Sequence, residues 1–125
     1  MTNQIQNPND KKVYDLEERT ATFGESIVEF AQKLPNTTVI RPLVSQVVRS
    51  GTSIGANYME ADAAESKRDF KHKISLCRKE AKETMHWVRM LTKAYPVKKD
   101  KCKQLWKEAH ELTLIFSTIL KGKKK

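Results

Sequence analysis

The sequence predicts an all-α protein whose helices form an up-down-up-down antiparallel four-helix bundle. Apolar residues recur at helical spacing in four separate segments of the chain. Only four glycines and four prolines occur among 125 residues, so turns should be few and helices long. The connections between the four segments are short, and short connections place successive helices side by side in opposite directions.

The first two helices follow from apolar seams bounded by capping residues and prolines. Asp15, with Glu18 three residues later, forms a capping pattern that begins helix one, and Pro35 ends it. Pro42 fits the first turn of helix two, where its missing N–H costs nothing, and this helix should run to about Ala63. The inward faces are Leu16, Thr20, Phe23, Ile27, Phe30 and Leu34 in helix one and Leu43, Val47, Ile54, Tyr58 and Ala61 in helix two.

The last two helices are separated by Pro96. Ser66 followed by Asp69 is a capping box that begins helix three, and Pro96 stops it. Helix four should extend from about Val97 to Leu120. The inward faces are Phe70, Ile74, Cys77, Ala81, Val88 and Leu91 in helix three and Leu105, Ala109, Leu112, Phe116, Ile119 and Leu120 in helix four.

One domain should account for most of the chain. Residues 1–12 are polar and aperiodic and are expected to be disordered, residues 13–121 to form the bundle, and residues 122–125 to form a basic tail. Cys77 and Cys102 should lie about 20 Å apart on successive antiparallel helices, too far for a disulfide. No apolar run is long enough for a signal peptide or a membrane span, which predicts a cytoplasmic protein without membrane contact.

Positive charge is concentrated in the second half of the chain. The net charge of +9 divides into 6 Lys and Arg against 9 Asp and Glu in residues 1–65, and 18 against 6 in residues 66–125. The halves therefore carry −3 and +12, and the basic half suggests a polyanionic partner.

Six cations of helix three share one side, which we name the basic stripe. They are Lys67, Lys71, Arg78, Lys82, Arg89 and Lys93, and they fall within roughly 80° of the helix circumference. Glu80 and Glu83 are close enough along the helix to pair with the stripe, which would make it an ordinary solvated face. Because six carboxylates cannot neutralise eighteen cations, we expect instead a surface that binds nucleic-acid phosphates with little sequence specificity.

A polar stripe runs along helix two beside its apolar face. It consists of Arg49, Ser53, Asn57 and Glu60. Measured from the turn between the helices, Arg49 is level with Glu80 of helix three, so these two side chains are predicted to pair. We expect a structural polar network that includes Glu80 and joins helices two and three, with a subunit interface or a catalytic site as the alternatives.

Two large apolar residues of helix three, Leu76 and Trp87, are predicted to lie roughly opposite its apolar face. Two such side chains on one outer face, one of them a tryptophan, favour a contact between subunits. We therefore expect Leu76 and Trp87 in an oligomer interface.

Patterns for catalysis or metal binding lack their usual context. The segment Gly51-Thr52-Ser53-Ile54-Gly55 matches the G-x-S-x-G nucleophile elbow, but that motif requires a preceding strand and none is predicted. Gly51 and Gly55 are better explained by the close approach of a neighbouring helix. The histidines and cysteines show no metal-ligand spacing. We expect no catalytic residues, no metal site and no cofactor.

The run from Arg49 to Ala61, RSGTSIGANYMEA, closely resembles the helix-two signature of a bacterial family, the four-helix bundle proteins related to the 23S ribosomal RNA intervening-sequence protein (the S23 family). Helix three carries a second matching block: Asp69-Phe70, Lys73-Ile74, Lys79-Glu80-Ala81, Glu83-Thr84 and Trp87. Weaker matches lie at 15–20 and 111–116, so the resemblance covers most of the chain.

The resemblance implies a four-helix bundle that assembles into a homo-oligomer, a ring of five. The family is also similar in fold to the accessory protein of diversity-generating retroelements, which works with a reverse transcriptase and nucleic acid. No enzymatic activity is established for the family, so the resemblance implies no catalytic residues.

We therefore expect a non-catalytic, homo-oligomeric bundle that binds RNA or DNA through helix three. The alternative is an oligomeric protein-binding scaffold, or accessory subunit, whose cationic face docks an acidic or nucleic-acid-bearing partner such as a polymerase. Tight, salt-sensitive binding of nucleic acid by the purified protein alone would distinguish the first from the second.

Overall fold

The computed structural model describes residues 16–122, and within that range every long element is an α-helix. The helices are α1 (Leu16–Gln32), α2 (Ile40–Asp62), α3 (Lys67–Ala94) and α4 (Lys99–Gly122), with a short 3₁₀ turn at Pro96–Lys98 before α4. Each helix packs on the next one along the chain, and α4 closes the bundle against α1 along a narrower seam.

Contacts across the helix pairs give the relative directions. Ser50 of α2 contacts Thr84 of α3, whereas Ile54, one turn further along α2, contacts Cys77, which is earlier in α3. The α3–α4 pair runs in opposite directions in the same way. The predicted all-α, up-down-up-down antiparallel bundle is confirmed.

The helix ends agree with the capping signals, apart from the start of α4. The Ser66 hydroxyl oxygen accepts the Asp69 N–H at 3.0 Å, as the capping box predicts. Pro42 lies in the first turn of α2. Pro96 begins the 3₁₀ turn, so α4 begins at Lys99, two residues later than expected. Asp15, the disordered segment predicted at 1–12 and the last residues of the tail, 123–125, lie outside the described residues.

The core is formed by the predicted faces of the four helices. The largest fully buried side chains include Phe116, Leu16, Ile27 and Ile54. Two buried hydroxyls add to the predicted set: Thr84 and Ser50 lie with their oxygens 2.9 Å apart, and Thr84 Oγ1 also lies 2.8 Å from the Glu80 carbonyl oxygen. Both buried polar groups thus have partners, as interior hydroxyls normally do.

Gly51 allows α1 and α2 to pack closely. A Cβ atom at Gly51 would lie 2.8 Å from Cγ1 of Ile27, a side chain with no exposed surface. At Gly55 the same atom would lie 3.3 Å from Thr20 Oγ1. The expected close helix approach is confirmed, and the G-x-S-x-G pattern lies inside α2, away from any strand-to-helix turn in the described chain.

Both cysteines are free and buried. Burial raises the pKa of the Cys77 thiol to about 12, and it also raises the pKa of Cys102. A raised pKa suppresses the thiolate, which is the reactive form of cysteine.

We expect both thiols to resist alkylation in the folded protein. At pH 8 the shift of the Cys77 pKa from 9.0 to about 12 lowers its thiolate fraction roughly 10³-fold, and burial slows access further. The rate of maleimide labelling at pH 8, followed by mass spectrometry with and without guanidinium, measures this. A Lys79→Cys variant supplies an exposed thiol as the control, and comparable labelling rates for all three cysteines in the folded protein would contradict the buried positions.

Candidate nucleic-acid interface

Two acids of α3 lie on the flank that faces α2. Arg49 Nη1 of α2 lies 3.1 Å from Glu80 Oε1, and Arg49 Nη2 donates to Glu83 Oε1. The hydrogen bond to Glu83 is the main cause that raises the pKa of Arg49. The predicted pairing of Arg49 with Glu80 is confirmed, and Glu83 joins it.

Of the other members of the helix-two polar stripe, one bonds to α3 and two bond to the backbone of α2. Glu60 Oε1 accepts from Lys73 Nζ of α3 at 2.5 Å. Ser53 Oγ donates to the Arg49 carbonyl at 2.5 Å, and Asn57 Nδ2 donates to the Ser53 carbonyl at 3.0 Å, so both bond to the backbone of α2. Within the helix-two polar stripe, only the two end residues, Arg49 and Glu60, therefore link α2 to α3.

Two acids of α4 also bind an arginine, which in this case comes from α1. Arg19 of α1 donates through Nε to Glu108 Oε2 at 2.7 Å and through Nη2 to Glu111 Oε1 at 2.9 Å. The hydrogen bond to Glu108 is the main cause that raises the pKa of Arg19. Four of the six carboxylates in residues 66–125 thus bind arginines of α1 and α2.

The basic stripe lies on the other flank of α3, next to α4. Five of its six members are exposed, and Arg78, which is half-buried, donates to Ser117 Oγ at 3.4 Å. Within residues 16–122 none of the six forms an ion pair with a carboxylate. Pairing with Glu80 and Glu83, the alternative that would have neutralised the stripe, does not occur because both acids face Arg49.

A groove between α3 and α4 extends the stripe at its C-terminal end, and we name it the cationic groove. It has a volume of about 780 Å³, and its charged lining is Arg89, Lys93, Lys99, Lys103 and Asp100. Trp106 of α4 also lines it, with 37% of its surface exposed and its ring stacked on His110 at a centroid distance of 5.1 Å. The two helices together form one cationic face.

Sequence reasoning missed Trp106. The prediction of the basic stripe considers α3 alone, and in α3 the aromatic residues are not interleaved with the cations of the stripe. Trp106 comes from the neighbouring helix, α4. The available signal was the spacing of Lys99, Lys103, Trp106 and His110, which places them on one side of α4.

Leu76 and Trp87 are both half-buried. Trp87 packs against the edge of the core, so the expectation that it lies opposite the core face is wrong: its large ring reaches from the flank of α3 to the core. His86 contacts it edge-on at 4.8 Å, and its buried indole N–H has no hydrogen-bond acceptor among the described residues. The role of Leu76 and Trp87 in an oligomer interface stays a prediction.

The α1–α2 side of the bundle is acidic. A groove there is lined by Glu17, Glu18, Glu25 and Glu29, together with the exposed apolar residues Val28 and Met59. This groove and the cationic face separate negative from positive charge across the molecule.

In the described part of the chain, no three histidine, cysteine or acidic side chains come together in a way that could hold a metal ion. Over the same residues, none of the helices combines the length and apolar character needed to cross a bilayer.

These features define a small all-helical bundle protein with a cationic face on α3 and α4. The chain belongs to the 23S rRNA-intervening sequence protein family, whose model matches residues 12–118. Among solved structures, it is similar to a protein of unknown function from the S23 ribosomal protein family of Bacteroides thetaiotaomicron VPI-5482. That similarity has a TM-score of 0.76 and 27% sequence identity, and it covers 85% of this chain and 98% of the other.

A comparison with curated proteins found no match. The resemblance carried by the RSGTSIGANYMEA run is confirmed by the family match, and no reaction is named for the family or for the structural relative.

Proposed function

We propose that this protein is a non-catalytic, cytoplasmic homo-oligomer that binds the phosphate backbone of RNA or DNA through the basic stripe and the adjoining face of α4. The observation that carries the proposal is that the acidic side chains near the stripe already bind arginines of other helices. Glu80, Glu83, Glu108 and Glu111 bind Arg49 and Arg19, and the six cations of the stripe are left without a carboxylate partner in residues 16–122.

The dimensions of the stripe suit a nucleic-acid backbone. Lys67 and Lys93 are 26 residues apart, which on a helix is about 39 Å, or a little more than one turn of duplex. Lysine and arginine side chains that replace condensed counterions at phosphates supply affinity with little sequence preference.

Oligomerisation would strengthen such binding. Several copies of the stripe on one particle convert modest individual affinities into a tighter overall one. Leu76 and Trp87 are the residues we place between subunits, and a ring of five is the assembly that the family resemblance implies. Native mass spectrometry should give a mass of about five times 14.4 kDa.

A non-catalytic role agrees with the chemistry of the buried thiols. Burial raises the pKa of Cys77 and Cys102, which is the opposite of what a nucleophilic cysteine requires. Ser53 lies inside α2 and donates to a backbone carbonyl of that helix.

The test is a salt titration of binding by the purified protein, with fluorescence anisotropy as the readout. Matched single-stranded RNA, double-stranded RNA and double-stranded DNA are the ligands. If all six cations contact phosphates, affinity for duplex should fall about 10³-fold between about 50 and 200 mM salt. Weak binding that hardly changes with salt would overturn the proposal and favour the alternative, a scaffold or accessory subunit that requires a protein partner.

A further inference from the structure

We propose that the cationic groove holds an unpaired base of a single-stranded nucleic acid against Trp106. This inference rests on the proposed function, because the groove is continuous with the basic stripe. It adds a ligand preference, for single strands over duplexes, that phosphate contacts alone do not create.

Trp106 is placed to stack with a base. More than a third of its surface is exposed, although the residue is large and apolar, and it is one of the residues that line the groove. His110, one helical turn further along α4, stacks on the indole with an angle of 26° between the two ring planes. This contact orients the indole, and a pre-oriented aromatic ring loses less entropy when a base stacks on it.

The charged residues around Trp106 suit the phosphates that flank a bound base. Arg89 and Lys93 approach the groove from α3, and Lys99 and Lys103 approach it from α4. None of the four forms an ion pair with a carboxylate in the described chain, and Asp100 is the acid among the lining residues. Cations beside an exposed aromatic ring are the arrangement by which proteins bind single strands.

The groove also has the right size and shape. Its volume of about 780 Å³ is within the range of small-molecule sites, so a nucleotide can enter it. A base in a duplex is stacked on both faces and cannot contact Trp106 without being unstacked, which costs a few kcal/mol. Duplexes should therefore bind to the basic stripe and leave Trp106 without contact.

The experiment compares Trp106→Leu and Trp106→Phe with the unmodified protein. Anisotropy at fixed salt measures binding to a single-stranded RNA, to the same RNA with abasic sites at every position, and to a duplex of equal length. Trp106→Leu should weaken binding of the normal single strand about 5- to 150-fold, the expected contribution of one stacked base. The Phe variant should retain most of the affinity, and duplex binding should change less than about twofold.

The abasic strand isolates the stacking contribution. The unmodified protein should bind it about as weakly as the Leu variant binds the normal strand, and the Leu substitution should cause no further loss. In the unmodified protein the normal strand should quench the tryptophan emission and the abasic strand should not, and the Trp106→Phe variant should lose this difference.

The outcomes separate this inference from the function on which it rests. Equal affinities of the Leu variant and the unmodified protein for the normal strand, with steep salt dependence for both, would overturn the stacking site and leave backbone binding in place. An equal loss for single strand and duplex would also overturn it. Failure of the unmodified protein to bind any of the three ligands would overturn both. Should the Leu variant fail to fold, the Phe variant and the abasic strand still decide the question.

Discussion

Reversal of three exposed charges in the basic stripe, by Lys71→Glu, Lys82→Glu and Arg89→Glu, is expected to weaken nucleic-acid binding about 10³-fold at about 50 mM salt. All three side chains are exposed, and none of them forms an ion pair with a carboxylate in the described residues, so the substitutions should leave the fold intact. Each lost phosphate contact removes about tenfold in affinity at this salt concentration through counterion release. Anisotropy with duplex RNA over a salt series measures both the affinity and its slope, which should fall by about half.

A matched variant separates local charge from total charge. Lys33→Glu, Arg41→Glu and Lys101→Glu reverse three exposed cations on other parts of the surface. Each change lowers the net charge by two, so both triple variants go from +9 to +3. The control should lose less than about tenfold, since Lys33, Arg41 and Lys101 are away from the stripe. Equal losses in the two variants would show that binding follows net charge and that the stripe has no special role.

Gly51→Leu should lower the free energy of unfolding by about 3 kcal/mol or more. Even the first side-chain atom would lie 2.8 Å from Ile27 Cγ1, and Ile27 is fully buried between the helices, so it has no free space to move into. The leucine must therefore force α1 and α2 apart or push Ile27 out of its rotamer. Urea denaturation followed by circular dichroism at 222 nm measures the loss.

Gly24 provides the matched control on the facing helix. A Cβ atom at Gly24 would lie 3.6 Å from its nearest neighbour, the Thr52 Cα atom, which is an ordinary contact distance. Gly24→Ala should therefore stabilise the protein by about 0.5–1 kcal/mol, because alanine has the higher helix propensity. A Gly51→Leu variant as stable as the unmodified protein would contradict the close approach of α1 and α2.

Much of the fold could be predicted because it depends on local chain geometry. The seam from Leu16 to Phe30 is buried at every predicted position, and Leu34 is half-buried at its end. A helix repeats every 3.6 residues, so the spacing of apolar residues reveals its inward face before any packing is known. The Ser66 cap is equally local, because its partner, the Asp69 N–H, is three residues away.

Packing between helices decided which charges remain available. Glu80 and Glu83 lie on the α2 flank of α3, where Arg49 binds both, and the sequence predicted only the pair with Glu80. Arg19 and Glu108 are 89 residues apart in the sequence, and no local pattern connects them. Trp106 entered the cationic face only because α4 packs beside the stripe.

The number of helices, their order, their inward faces and the excess of cations after Glu65 could therefore be read from the amino-acid sequence. These properties follow from periodicity and composition, which are the same before and after folding. Apart from the Arg49–Glu80 pair, the partners of the charged side chains and the residues that share a groove were decided by the tertiary structure. Such pairings depend on the rotation and register of one helix against another, and those are set when side chains such as Ile27 pack against Gly51.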